Sequence, residues 1–195
     1  LETFKKIVDS GYHLALMAHF NHFNELKTPA VKEAVKRIQK TGAIIRTQSP
    51  ILKGINDEVF IWKTMWESQV KLGMVPYYMF MARNTGAINY FAVTIVNAWK
   101  IFREAYSTVS GICRTVRGPS MSADSGKILI SGISKINDEK VIALTFLQGR
   151  DSLWVRKPFF AKYDENAVWI DDLEPAFGEE LFFYKKEFLD MFDDI

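Results

Sequence analysis

Short apolar runs alternate with amphipathic stretches through the first hundred residues. Leu14–Ala18 reads as a strand, within an extended stretch from His13 to Phe20. The polar run His19-Phe20-Asn21-His22-Phe23-Asn24-Glu25 emerges at its end. A helix begins at Pro29, with Thr28 as its cap and Val31, Ala34, Val35 and Ile38 as its apolar stripe, and Gly42 closes it. The same order recurs as strand Ala43–Arg46, the polar segment Thr47-Gln48-Ser49-Pro50, and a turn over Lys53-Gly54-Ile55-Asn56-Asp57. Asn56 or Asp57 would then cap a helix from Glu58 to Leu72. It recurs again as strand Val75–Met81, the segment Ala82-Arg83-Asn84-Thr85-Gly86, and a helix from about Val93 to Thr108. Ser110-Gly111 stops that helix, and Ile112–Val116 would be a fourth strand. The repeat is roughly 30 residues, the length of one βα unit. In a parallel array the carboxyl ends of the strands share one face, where ligands bind.

Beyond residue 116 the grammar changes. Arg117–Gly126 is small and polar and reads as a loop. Lys127–Ser131, Val141–Gln148 and Leu153–Tyr163 read as short strands joined by turns at Asn137-Asp138 and Gly149-Arg150-Asp151, the signature of an antiparallel meander. Phe177–Ile195 reads as an amphipathic helix. Its end carries Asp190, Asp193 and Asp194, which oppose the helix dipole and should fray it. The expected fold is α/β: a partial (βα) barrel of parallel strands over residues 1–118, then a C-terminal antiparallel β extension and terminal helix over 119–195. The chain opens on Leu1 and on a short helix, Glu2–Asp9, which predicts a piece cut from a longer repeating array.

Charge and composition narrow the picture. The 25 Lys and Arg residues are scattered among 23 acids, for a net charge of +2, so there is no basic tract of the kind that tracks nucleic acid. No run of 18 apolar residues exists, so no membrane span is expected. Cys113 is the only cysteine, which leaves a small core residue as its expected role. A cytoplasmic location is the default. An exposed sheet edge would pair with a second copy, making a homo-oligomer the expected state.

Five motifs now stand in order: His19-Phe20-Asn21-His22; Gln48 followed by Leu52-Lys53-Gly54-Ile55-Asn56; Pro76-Tyr77-Tyr78; Ser110-Gly111; and a glycine-containing loop ending in Gly126-Lys127. They resemble the carboxyl-terminal part of the lysine 2,3-aminomutase family of radical S-adenosylmethionine enzymes, over roughly residues 1–130. The resemblance implies an incomplete α/β barrel. It also implies S-adenosylmethionine cleaved by a 4Fe-4S cluster on a CxxxCxxC loop, and pyridoxal phosphate on the loop lysine, which carries an amino group between adjacent carbons of a small-molecule amino acid. The CxxxCxxC segment is not in this sequence, so the cluster ligands would lie elsewhere in a longer protein.

By this resemblance Lys127 is the pyridoxal phosphate lysine, against the plainer reading of an exposed lysine opening a strand. The loop before it, Ser120-Met121-Ser122-Ala123-Asp124-Ser125-Gly126, departs from the family's run of glycines. His19 and Gln48 would face S-adenosylmethionine, or His19 would simply brace its loop, as His22 and Asn24 are expected to do. Tyr78 would line the cofactor site or belong to the core. Arg83 stands where lysine-acting members place an aspartate. The family's second aspartate is matched here by Arg117 or Ser120. An arginine repels an ammonium and pairs with a carboxylate or phosphate, so the expected substrate is not lysine but an amino acid anionic at its far end. A non-catalytic relative serving as a binding scaffold is the competing reading.

Overall fold

The computed structural model describes residues 1–83 and 87–193. The chain is α/β, with seven strands in a mixed sheet whose hydrogen-bonded order follows the chain, β1 to β7. It divides into two compact units, Leu1–Met79 with Ile101–Arg117, and Phe80–Lys100 with Gly118–Ile195.

In the first unit, α1 (Glu2–Asp9) ends at Ser10-Gly11, where Gly11 takes φ +87. Strand β1 (Ala15–His19) runs parallel to β2 (Ile44–Ile51), with Met17 opposite Arg46 and His19 opposite Gln48. Between them lies α2 (Pro29–Gln39), capped by Thr28, whose hydroxyl accepts from the Val31 amide at 3.3 Å. Helix α3 (Val59–Lys71) buries Trp62, Met65 and Trp66. Trp66 meets Phe102 of α5 (Ile95–Thr108) edge to face, the packing expected of aromatics at helical spacing. Strand β3 (Val75–Met81) has the expected bounds.

Three expectations in this unit are corrected. The second strand does not stop at Arg46. It continues through Thr47-Gln48-Ser49-Pro50 to Ile51, because each polar residue has a place. Gln48 pairs with His19, Thr47 donates its hydroxyl to Gln69 Oε1 of α3 at 2.8 Å, and Ser49 is buried against Asn21. Nor does Asn56 or Asp57 cap α3. Glu58 occupies that position without a side-chain bond, while Asp57 accepts from the Gly54 amide and Asn56 turns inward. Ile112–Val116 is likewise not a strand. Gly111–Cys113 is a single 3-10 turn with Cys113 buried, and the next strand starts at Arg117.

The second unit contains the short helix α4 (Ile88–Phe91) and a meander of β4 (Arg117–Ala123), β5 (Gly126–Ile136), β6 (Glu139–Gly149) and β7 (Pro158–Lys162), antiparallel throughout. The segment expected as a loop, Arg117–Gly126, is thus β4 plus a two-residue turn at Asp124-Ser125. Gly118 to Met121 are buried, so small side chains here suit close packing rather than exposure. The β5–β6 turn at Asn137-Asp138 has both residues at positive φ (47 and 66), the requirement of a tight hairpin.

The terminal helix is shorter than expected: α6 spans Lys185–Asp193. Phe177 sits at φ +61 and Gly178 follows at φ +77, which no helix accommodates. Phe182, Phe183 and Tyr184 instead reach into an aromatic cluster with Phe146, Trp154 and Phe159. Burying such rings outweighs helical periodicity in deciding the backbone path. Asn84, Thr85 and Gly86, expected to follow β3, and Asp194 lie outside the described residues. Among the described residues no helix is long and apolar enough to cross a membrane.

Candidate functional site

Strand β2 presents alternate residues on its two faces. Thr47 and Ser49 are buried, whereas Arg46, Gln48 and Pro50 remain half-exposed. The β1 residues paired with Arg46 and Gln48, Met17 and His19, are exposed as well. Gln48 Nε2 and His19 Nε2 are in hydrogen-bond contact, an arrangement in which the amide donates if the ring carries its proton on Nδ1. The structure therefore brings His19 and Gln48 together on an accessible strand face.

Behind that pair sits a brace that sequence reading mistook for a helix cap. Asn56 is fully buried. Its Oδ1 accepts from the Leu52 amide at 2.7 Å, and its Nδ2 donates to the carbonyls of Asn21 and Pro50, both at 2.9 Å. Its own carbonyl accepts from Trp62 Nε1 at 2.6 Å. One side chain thus ties the segment after β1 to the end of β2. Glu25 closes the same segment locally, accepting from the amides of Asn21 and His22. His22 Nδ1 accepts from the Asn24 amide, so both residues brace the loop as expected. The signal for Asn56 was visible only as an asparagine in Lys53-Gly54-Ile55-Asn56; the partner that makes it a brace, the Asn21 carbonyl, lies 35 residues away.

Tyr78 is buried at 9% exposure and packs edge to face on Tyr77. Tyr77 in turn lies under two guanidinium groups, Arg46 at 4.9 Å and Arg117 at 5.1 Å from its ring centroid.

In the second unit, Arg83 and Lys127 line one cavity of about 340 Å³, together with Ser122, Asp124, Gln148 and Arg150. Lys127 is not on a loop. It is the second residue of β5, paired with Ser122 on β4 and Gln148 on β6. Gly126 sits at φ +145, and a Cβ there would lie 2.2 Å from the Gln148 carbonyl oxygen, so only glycine permits this close approach. Arg150, which sequence reading placed only in a turn, donates Nε to the Asp124 carbonyl at 2.9 Å, and its amide bonds the Ser125 carbonyl. The turn before Lys127 is therefore pinned by the residue that follows β6. From its other side Tyr184 faces Ser125. Burial pushes the Tyr184 hydroxyl up to about 12, against the hydrogen bond with Ser125 that works to lower it. Ser120 is fully buried with its hydroxyl unpartnered among the described residues.

Three cationic side chains around one cavity, with a single carboxylate among them, suit an anionic ligand that also needs an amine. That is the charge pattern of pyridoxal phosphate, so the residues present fit this group. They do not supply an iron–sulfur cluster: the sole cysteine is buried, and no group of three potential metal ligands occurs among the described residues.

Fold and site together define an α/β protein with two features: an amine-bearing, cation-lined cavity in one unit, and in the other a βα region that presents a histidine–glutamine pair. No protein-family profile matches the chain. Curated relatives do. The chain is 35% identical over 171 residues to a putative L-lysine 2,3-aminomutase of Aquifex aeolicus, covering 88% of this chain and 44% of that protein. It is 28% identical over 138 residues to the L-lysine 2,3-aminomutase of Acetoanaerobium sticklandii, 69% of this chain and 33% of that one. It is 26% identical over 102 residues to the glutamate 2,3-aminomutase of Clostridioides difficile, 52% and 24% respectively. The chain is thus similar to lysine and glutamate 2,3-aminomutases over half to most of its own length, and it spans less than half the length of these curated relatives.

Proposed function

We propose that this chain is the carboxyl-terminal part of a radical S-adenosylmethionine aminomutase, its βα repeats forming a section of a parallel barrel. The enzyme moves an amino group between adjacent carbons of an amino acid other than lysine. The observation that carries the reading is the shared cavity of Lys127, Arg83 and Arg150, in a chain related to aminomutases.

In this reading Lys127 supplies the amine that holds pyridoxal phosphate, and Arg150 and the backbone of the pinned turn set the direction of that amine. Arg83 pairs with the anionic far end of the substrate, since its planar fork matches a carboxylate and repels an ammonium. His19 and Gln48 offer hydrogen bonds to S-adenosylmethionine, and Tyr78 takes its core reading, buried in β3 against Tyr77. Bound pyridoxal phosphate would supply an extended electron-accepting ring that carries the migrating nitrogen. The cluster that starts the radical chemistry would be held by cysteines outside this chain. A homodimer is the assembly expected of this part.

The test is to trap pyridoxal phosphate on the protein with borohydride and map the modified residue by mass spectrometry. Label concentrated on Lys127, and lost in Lys127→Ala, supports the reading. Label spread evenly over surface lysines refutes it. In the longer protein, turnover of lysine would refute the role of Arg83. The competing reading, a non-catalytic scaffold, is favoured by Asp124 at the cavity rim, whose charge opposes a phosphate; absence of specific label would support it.

A further inference from the structure

We propose that a second cavity, lined by the Asp124-Ser125 turn and by α6, is a binding site for a free α-amino acid with an apolar side chain of about leucine size. Asp124, Asp171 and Lys185 supply its charges, and Ile170, Phe188 and Leu189 its apolar wall. All of these residues belong to the second unit. Arg83, Lys127 and Arg150 line the other cavity and not this one; the two share only Ala123 and Asp124. The inference therefore stands whether or not Lys127 carries a cofactor.

Size and polarity narrow the occupant. The cavity holds about 240 Å³, which at about 30 Å³ per water-sized group leaves room for about eight such groups. That suits one small amino acid and is too little for a nucleotide or another drug-sized ligand. Ile170, Phe188 and Leu189 offer no hydrogen bonds, so the body of the ligand must be apolar. Leu189 is 58% exposed, and a ligand against it would take apolar surface out of water. Tyr184 adds no charge: it is buried, and its hydroxyl is engaged by Ser125.

The charges then choose among apolar ligands. Among the described residues, the carboxylates of Asp124 and Asp171 and the ammonium of Lys185 make no ion pair and no side-chain hydrogen bond. Other charged side chains of this unit are engaged: Lys162 meets Glu174 at 2.9 Å, and Glu187 accepts from Trp154 Nε1 at 2.6 Å. Lys185 is the first residue of α6, so the positive end of the helix dipole adds to its charge. An apolar amine would satisfy the two aspartates but be repelled by Lys185. An apolar acid would satisfy Lys185 but be repelled by the aspartates. A zwitterion meets all three: its ammonium donates to Asp124 and Asp171, its carboxylate accepts from Lys185, and its side chain lies on the apolar wall.

Calorimetric titration of the chain with L-leucine tests this, with leucinamide, 4-methylpentanoate and glycine as comparators. One saturable leucine site is expected. Leucinamide lacks the carboxylate, 4-methylpentanoate the ammonium and glycine the apolar side chain. Each should bind about tenfold or more weaker, the size of a lost charged hydrogen bond or of an apolar side chain left unburied. Lys185→Gln should weaken leucine by a similar factor and abolish its advantage over leucinamide. Asp171→Asn should do the same for its advantage over 4-methylpentanoate. Lys127→Ala should leave leucine binding unchanged. The proposal is overturned by no saturable leucine binding, by leucinamide binding as tightly as leucine, or by binding that Lys127→Ala removes and Lys185→Gln leaves intact. Should a variant fail to fold, the parent's melting temperature provides the second reading: leucine must raise it more than glycine does at equal concentration, and equal shifts also overturn the site.

Discussion

Replacing Asn56 with alanine removes four hydrogen bonds at once, three of them to backbone. The loss leaves the Leu52 amide and the carbonyls of Asn21 and Pro50 without their partner. A buried group left unsatisfied costs about 1–3 kcal/mol. Leu52, Asn21 and Pro50 are half-buried, so water can reach part of the gap, and the expected loss is about 2–4 kcal/mol in total. Against a typical stability of about 5–15 kcal/mol this is a large fraction, and it should lower the melting temperature by roughly 5–15 °C for a chain of this size. Asn56→Asp sharpens the test. It keeps the acceptor toward Leu52 but turns a carboxylate oxygen toward two carbonyls. The buried carboxyl would be held above its ordinary value of about 3.9. A group with a raised folded-state pKa loses stability as pH rises through that range, so Asn56→Asp should melt close to Asn56→Ala near pH 3 and well below it at pH 7. Thermal melts by circular dichroism over that range provide the measurement. The bracing argument is wrong if Asn56→Ala melts within a degree of the parent, or if Asn56→Asp shows no pH dependence beyond the parent's.

Gly126→Ala places a Cβ against the Gln148 carbonyl at an unfavourable φ; we expect about 2–4 kcal/mol of destabilisation, read in denaturant melts, and loss of any specific borohydride label on Lys127. Tyr184 should ionise late, near its value of about 12. Its folded-state pKa is raised, so its contribution is present below about pH 10 and is lost as pH climbs toward 12. Tyr184→Phe should flatten the alkaline fall in stability, and an ultraviolet titration matching the parent's step for step would refute the assignment.

Local rules found what local chemistry controls. The Thr28-Pro29 start of α2, the span of β3 and the Asn137-Asp138 turn were legible because a cap, a short apolar run and a positive-φ pair act within a few residues. Gln48 stood out in the sequence beside its motif, but not as a strand residue. A polar quartet ending in proline reads as a loop until a parallel neighbour offers His19 as its partner. Lys127 was found through a motif that reads as a loop. Its strand setting arises because β6 covers Gly126 and Lys127, a contact more than twenty residues away. Arg150 and Asn56 were missed as braces for the same reason: each holds a backbone carbonyl of a remote segment, Asp124 and Asn21 respectively.

By itself, then, the sequence determined which segments can be βα repeats, that an antiparallel meander follows them, and which residue types could hold an anion or an amine. The tertiary structure alone decided which of those residues meet. Strand pairing turns polar loops into ladder, one asparagine fastens two strand ends, and a single tyrosine ring gathers two arginines. Such juxtapositions depend on long-range register, which no window of neighbouring residues encodes.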